Sequence, residues 1–325
     1  GPRSAGAEPG PICYGRGGTR VTVTDAHVWL GRLPSHAFLG GEASLDRGAI
    51  EGPLAELARA LDSTLADAAE GVLDVADTAM EGALRVISVE RGHDPSDFAL
   101  VPFGGAAGLH AVELAERLGV ARLLVPPDPG VLSAFGMLVS PVRKDLSRTI
   151  LAGPDESERI AAAYAELEGE ARAAMDAEGV SDGVRIRRLA DVRYAGQSFE
   201  LRVPASDWAR TFHDAHEARY GFARPEAAAE LVTARVEATG PATATPVRRA
   251  GAEGAAGANA SPVRARAVRF RGQAVEARVV GREALAPATV LEGPAVVHEY
   301  SATLWLPPGW SARTLDSGSL MVERG

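Results

Sequence analysis

The sequence has almost no cysteine and almost no lysine. Cys13 is the single cysteine, so no internal disulfide can form, and a reducing, cytoplasmic setting is expected. Lys144 is the single lysine among 34 basic residues, and those residues form no dense basic stripe. With 43 acidic residues the net charge is −9, which speaks against a nucleic-acid partner. Aromatic residues make up 5%, too few for base-stacking platforms. No apolar run approaches the ~18 residues of a membrane span, so no membrane partner is expected. The opening residues are Gly, Pro and Ala with no hydrophobic region, so no secretory leader is read there. Because the chain opens on Gly1 and not on Met, it is read as processed or as a fragment of something longer. There is no nucleophile-elbow serine, no His-Glu-x-x-His and no cysteine pair, so no metal site is expected.

What remains is a chain of 325 residues, 46% of them hydrophobic, enough for two domains at ~100–200 residues each. Residues 1–19 read as glycine and proline punctuation. Arg20–Thr24 alternates like a short strand ended by Asp25, and Val28–Leu30 begins a helix that Gly31 and Pro34 stop. Leu54, Leu57 and Leu61 recur at helix spacing. So do Val72, Val75, Ala76, Ala79, Ala83, Val86 and Ile87, up to Gly92 and Pro95. Strands at Phe98–Pro102 and Ala121–Val125 flank a helix from Ala111 to Leu118, the order of a βαβ unit on a parallel sheet. Residues 130–138 read as a small-residue helix. Near residue 150 the character changes, giving an expected division at 1–150 and 151–325. The second part carries a charged helix from Ser157 to Glu178, strands at 184–187, 190–194 and 198–203, a helix from Trp208 to Tyr220, and a strand at 231–238. Residues 240–262 hold almost no large apolar side chain and read as a mobile loop. Short strands follow at 267–270, 275–279, 295–297 and 302–306.

The stretch Phe103-Gly104-Gly105-Ala106-Ala107-Gly108-Leu109-His110 carries the strongest local signal. It reads as strand, glycine turn, helix. Glycine tolerates positive φ and lets a ligand approach the backbone, and the N–H groups opening a helix form a natural anion seat. A tight connection with no ligand is an equal reading of that pattern alone. His110, beside the turn, could orient a bound ligand. Cys13 is a nucleophile only if its thiol pKa is depressed, and nothing in the sequence lowers it. Asp25 could hold a metal or orient a nucleophile, or could cap the next helix. Glu90, Arg91, His93, Asp94 and Asp97 read as a solvated cluster, and His216 as a packed histidine on its helix stripe.

Together these segments resemble one family over almost the whole chain. Gly1–Ala7, Pro9-Gly10-Pro11, Cys13-Tyr14-Gly15-Arg16-Gly17-Gly18, Thr22–Ala26, Leu30–Leu33, Phe38-Leu39-Gly40-Gly41 and Ser88–Pro95 are similar to the C-terminal half of the hydantoinase A/5-oxoprolinase family. Phe103–Ala106 and Pro129–Ala134 match as well. Arg193-Tyr194 with Gly196-Gln197, Arg219-Tyr220-Gly221, and Gly293-Pro294-Ala295 with Pro307–Trp310 match more loosely. The resemblance implies an α/β fold: an actin/sugar-kinase-like, ribonuclease-H-like half domain over 1–150, then an α+β C-terminal domain over 151–325.

It also implies ATP and Mg²⁺ as cofactors, with Gly104, Gly105 and Ala106 as the adenosine-binding element. The helix from about Val72 to Val89 would line the adenine side. One departure is Ala107-Gly108, where the family has Gly-Pro. A larger one is that the family's two Gly-Gly-Thr-type phosphate loops lie upstream of the matched segment. The phosphate and metal sites are therefore expected mostly outside this chain, and the chain alone is expected not to hydrolyse ATP. The implied activity is ATP-dependent hydrolysis of a cyclic amide: hydantoin, 5-oxoproline or a related lactam. A ketone carboxylase subunit and a non-catalytic binding module are the alternatives. Implied partners are the N-terminal half, a hydantoinase B-like subunit and a small-molecule substrate, in an oligomer. For catalysis the sequence offers only Asp25, Cys13 and His110 as candidates.

Overall fold

The computed structural model describes residues 4–35, 42–241 and 264–325. The expected match at Phe38–Gly41 and nearly all of the loop expected at 240–262 lie outside them. The chain forms two compact units. The first contains residues 1–135 and returns from 248 to the end; the second is Gly136–Val247.

The first unit begins with a 3-10 turn, Ile12–Tyr14, followed by helix α1, Val23–Trp29. The strand expected at Arg20–Thr24 does not form: Thr22 caps this helix, and Val23 and Thr24 open it. Thr22 Oγ1 accepts from the Asp25 N–H, and the Asp25 carboxylate accepts from the Thr22 N–H, a reciprocal cap that outweighs the short Val-Thr-Val alternation. Gly31, at φ 83°, ends the helix. Helix α2 is Glu51–Ala60, and the long helix α3 is Leu65–Ile87, capped by Thr64. The buried face of α3 is Ala68, Ala69, Leu73, Ala76 and Asp77. Of the stripe read from the sequence, Ala76 is buried, but Val75, Val86 and Ile87 are exposed. β1 is only Ala99–Leu100, shorter than expected. Helix α4, Ala107–Leu118, follows, and Gly119 closes it in the left-handed conformation. β2, Arg122–Val125, pairs parallel with β1, so the βαβ unit is present as read. Helix α5, Leu132–Val139, leads into the second unit.

The second unit is an antiparallel sheet with helices packed on it. β3, Arg143–Ala152, has no apolar/polar alternation to mark it: its inward face carries Lys144 and Arg148 beside Leu146, Ile150 and Ala152, and exposed Leu151 lies on the other face. Helix α6 is Ser157–Ala177, and β4, Arg185–Tyr194, joins the two short strands read there. β5 (Leu201–Pro204), helix α7 (Trp208–Tyr220) and β6 (Ala229–Thr239) complete it, in the order β3-β6-β4-β5. Ile160, Tyr164, Leu167, Ala171 and Met175 of α6 face Val192, Leu231, Ala234 and Val236 of the sheet. Buried Asp191 accepts from Arg202 and Arg235, so this core holds a carboxylate only with two cations beside it.

The chain then returns to the first unit with β7 (Arg264–Phe270), β8 (Gln273–Gly281), β9 (Val290–Glu292) and β10 (Ala295–His298). β11 (Thr303–Leu306), β12 (Trp310–Thr314) and β13 (Leu320–Arg324) end it. One sheet runs β1-β2-β13-β12-β9, the other β11-β10-β8-β7. A single cut near residue 150 therefore separates strands that hydrogen-bond to one another: β13 pairs antiparallel with β2 through Leu320 and Val125. That pairing joins residues nearly two hundred positions apart and has no local signal. Two apolar clusters fill this unit. One gathers Val28, Ile50, Leu54, Leu73, Leu109, Val296 and Trp305, and the other Val112, Leu123, Leu306, Leu320 and Val322. Helix α4 serves both, which fixes where the glycine turn sits. Among the described residues no helix is long and apolar enough to cross a membrane.

Candidate functional site

The glycine turn separates into positions that pack and one that faces open space. A Cβ on Gly105 would lie 2.8 Å from the Ser301 carbonyl oxygen, and one on Gly108 2.6 Å from the Thr303 carbonyl oxygen. A Cβ on Gly130 would collide with Ser301 Oγ. These glycines let the turn, and the Pro129–Val131 turn beside it, approach the strand end before β11. Two hydrogen bonds hold the approach: Gly104 N–H to the Pro129 carbonyl at 2.7 Å, and Thr303 N–H to the Gly105 carbonyl at 3.2 Å. Gly104 differs. Its φ is 91°, and a Cβ there would meet nothing within 4 Å. Ala106 opens α4 with no side-chain cap, and Phe103, Gly105 and Ala106 are exposed. An uncapped helix start with an open backbone beside it can receive an anionic or polar ligand group.

Cys13 and Asp25 are brought together, away from any open surface. Asp25 is fully buried. Its Oδ1 accepts from the Cys13 N–H at 2.8 Å. Its Oδ2 accepts from Ile12 N–H at 3.2 Å, Thr22 N–H at 2.9 Å and Thr22 Oγ1 at 2.7 Å. Both oxygens thus pin the N-terminal loop to α1. Burial, and the Asp25 carboxylate next to it, push the Cys13 thiol well above its ordinary range. A thiol so held is a packing group and not a nucleophile. Alkylation by iodoacetamide at pH 8 is expected to be at least ~100-fold slower in the native chain than in guanidinium. Comparable rates would mean that Cys13 is accessible as thiolate.

His110 lies in the first turn of α4, and the sequence did not reveal its partners. Its Nδ1 is 2.6 Å from Asp77 Oδ1 on α3, and its Nε2 is 3.1 Å from His27 Nε2 on α1. All three side chains are buried. A carboxylate only accepts, so His110 Nδ1 carries the proton. A neutral ring accepts at Nε2 from a His27 Nε2–H; His27 Nδ1 is buried with no partner. Burial, with the Arg32 guanidinium nearby, pushes His27 well below the usual imidazole range, which keeps it neutral. Beside this chain, Arg32 Nη1 donates to Glu113 Oε1 at 3.1 Å, with both side chains nearly sealed. The Arg32 guanidinium sits 5.7 Å from the ring centres of both Phe270 and Trp305. Burial raises Glu113, and Arg32 opposes the rise. A signal for Asp77 was available: an aspartate next to Ala76 and one turn after Leu73, on a face otherwise apolar. His27 and Arg32 gave none, because their neighbours arrive from distant segments.

The remaining candidates stay apart. Glu90, Arg91, His93, Asp94 and Asp97 are exposed, and Asp94 caps a 3-10 turn by accepting from Ser96. In the second unit, His216 is buried among Tyr194, Phe212 and Tyr220, with Nδ1 donating to the Phe222 carbonyl at 2.7 Å.

A βαβ unit with a glycine turn between two mixed sheets, joined to an antiparallel α+β unit, defines an actin-like α/β protein. Comparison with known proteins makes the assignment specific. The hydantoinase/oxoprolinase family model matches residues 1–146, and its C-terminal domain model matches residues 153–323. The chain belongs to the hydantoinase/oxoprolinase family. It is 38% identical to an uncharacterized protein of Methanocaldococcus jannaschii over 100% of this chain and 48% of that protein. It is 33% identical to the caprolactamase alpha subunit of Pseudomonas jessenii over 95% of this chain and 47% of that subunit. The nucleotide-free structure of acetone carboxylase shares the fold, with a TM-score of 0.80 at 24% identity over 100% of this chain and 49% of that one. The chain therefore spans about half the length of the curated relatives it matches.

Proposed function

We propose that this chain is the C-terminal part of an ATP-dependent cyclic-amide hydrolase acting on a hydantoin, 5-oxoproline or a related lactam. The likeness to the caprolactamase alpha subunit, across nearly the whole chain, carries this reading. The glycine turn fits the adenosine side of such a site. Gly104 offers open backbone at positive φ, Gly105 packs the turn on Ser301, and Ala106 and the start of α4 supply N–H groups. Mg²⁺ is a different matter. Among the described residues no three His, Cys, Asp or Glu side chains cluster so as to hold a metal ion, so no step is drawn through one on this chain.

In the chemistry proposed, the amide oxygen attacks the γ-phosphorus and ADP leaves. Water then adds at the activated ring carbon, the ring nitrogen departs with a proton, and a second water hydrolyses the acyl phosphate that remains. Phosphorylation is needed because amide resonance makes the unactivated carbon a poor electrophile. This chain contributes the adenosine contact and orientation. The phosphate contacts belong to an upstream half, and a hydantoinase B-like subunit completes an oligomeric enzyme.

The test supplies the whole protein, with its upstream region and partner subunit, with a panel of hydantoins and lactams. Substrate-dependent ADP release is expected, and its absence across the panel overturns the reading. Product formation that requires bicarbonate and a ketone would assign carboxylation in its place. The 325-residue chain alone is expected to release no ADP.

A further inference from the structure

The chemistry above makes no use of the buried chain Asp77–His110–His27. Its members come from α3, α4 and α1, and they meet one turn below the glycine turn. Buried polar groups are costly unless their bonds are made, so a fully directed set in this place holds its elements in one arrangement. Apolar side chains would pack α4 on α3 without fixing rotation or slide about the helix axis. A 2.6 Å bond between His110 and Asp77 fixes both. The groups facing His110 are Asp77 from α3, His27 from α1 with Arg32 just beyond it, and Glu113 from its own helix. β11, which packs on α4, offers only Thr303, Leu304, Trp305 and Leu306, none of which titrates here.

We propose that His110, held as the Nδ1–H tautomer by Asp77, is the positioning residue of the glycine turn, fixing Gly104–Ala106 by locking the first turn of α4 to α3 and α1. The role in nucleotide binding rests on the function proposed above; the mechanical link does not. With His110 neutral, the bonds between Asp77 and His110 and between His110 and His27 are both made, and His27 Nδ1 is left without a partner. Protonation of His110 removes the acceptor for His27 Nε2–H. The His27 proton would then have to move to Nδ1, which is buried with no acceptor.

The experiment uses the isotope-labelled 325-residue chain. Long-range imidazole 15N–1H spectra at pH 7.5 are expected to show His110 protonated at Nδ1 and bare at Nε2, with His27 protonated at Nε2. Finding His110 as the Nε2–H tautomer or as imidazolium overturns the proposal. In His110→Ala the backbone amide resonances of Gly104, Gly105 and Ala106 are expected to move. In His110→Asn, which keeps an N–H donor toward Asp77, they are expected to return close to their native positions. ATP affinity by calorimetry is expected to weaken about tenfold in His110→Ala, the weight of one charge-assisted hydrogen bond, with partial recovery in His110→Asn. A urea midpoint that falls in both variants while the Gly104–Ala106 amides stay put assigns His110 a purely structural role and overturns the proposal. Where His110→Ala does not fold, Asp77→Asn replaces it. There, His110 nitrogen shifts and the same three amides are expected to move together, and unmoved amides overturn the link. If the amides respond as expected but the native chain binds no ATP, the nucleotide reading fails and the positioning role stands.

Discussion

Replacing Asp25 with alanine is expected to destabilise the chain by about 4 kcal/mol. The carboxylate is fully buried and accepts from the backbone N–H groups of Ile12, Cys13 and Thr22 and from the Thr22 hydroxyl. Truncation leaves three backbone donors without an acceptor, and each such loss costs roughly 1–3 kcal/mol in a buried setting. The full sum is not reached, because water enters the space and the loop relaxes. About 4 kcal/mol is still a large share of the ~5–15 kcal/mol that holds a typical domain folded. Asn in place of Asp25 is expected to recover little: its amide nitrogen would face donors where the carboxylate offers an oxygen. Urea unfolding monitored by tryptophan fluorescence checks this. A shift below about 1 kcal/mol would show that the loop from Ile12 to Thr22 contributes little to the first unit's fold.

That site shows how far the sequence could be read. Thr22 and Asp25 stand three apart, a spacing that spells a helix cap, yet Val21, Thr22, Val23 and Thr24 spell a strand as well. The cap wins because the Asp25 carboxylate also collects Ile12 and Cys13, donors from a loop that local pattern cannot place. The same limit appears in α3. Its C-terminal part was legible from periodicity, but its start at Leu65 and its buried face were not, since Ala-rich helices carry apolar residues around much of their circumference. Val75, Val86 and Ile87 look like core by composition and stand exposed. The βαβ unit was legible because both strands, the turn and the helix are contiguous. β12 and β13 were not: they pair with each other as a hairpin, but their places in the sheet are set by β9 and β2, which lie elsewhere in the chain. His110 was singled out from its place beside the turn, whereas His27 and Arg32 became meaningful only through contacts that folding brings together.

The glycine turn offers the second large effect, and it takes opposite forms at two neighbouring positions. Gly108→Ala is expected to cost about 3 kcal/mol of stability. Its Cβ would sit 2.6 Å from the Thr303 carbonyl oxygen and 3.1 Å from Leu304 Cα, and both are backbone atoms of a strand that cannot yield cheaply. Gly104→Ala meets nothing within 4 Å, so its only structural cost is the positive φ of 91°, roughly 1–2 kcal/mol for an L-residue. For ligand binding the order reverses. A methyl group at Gly104 stands in the open space through which a nucleotide would approach the backbone, whereas one at Gly108 disturbs the packed side of the turn. Gly104→Ala is therefore expected to weaken ATP binding about tenfold or more, equivalent to ~1.4 kcal/mol, with a modest loss of stability. Paired thermal melts and ATP calorimetry on the two variants decide the matter. Should Gly104→Ala bind ATP as the native chain does, the open face of the turn is not the adenosine side. The three packed glycines, Gly105, Gly108 and Gly130, would then account for the motif as a tight connection alone. If the two variants separate as expected, one short sequence carries two distinct demands. Two of its glycines, with Gly130 from the neighbouring turn, seat a helix against a strand, and one leaves the backbone bare for a ligand.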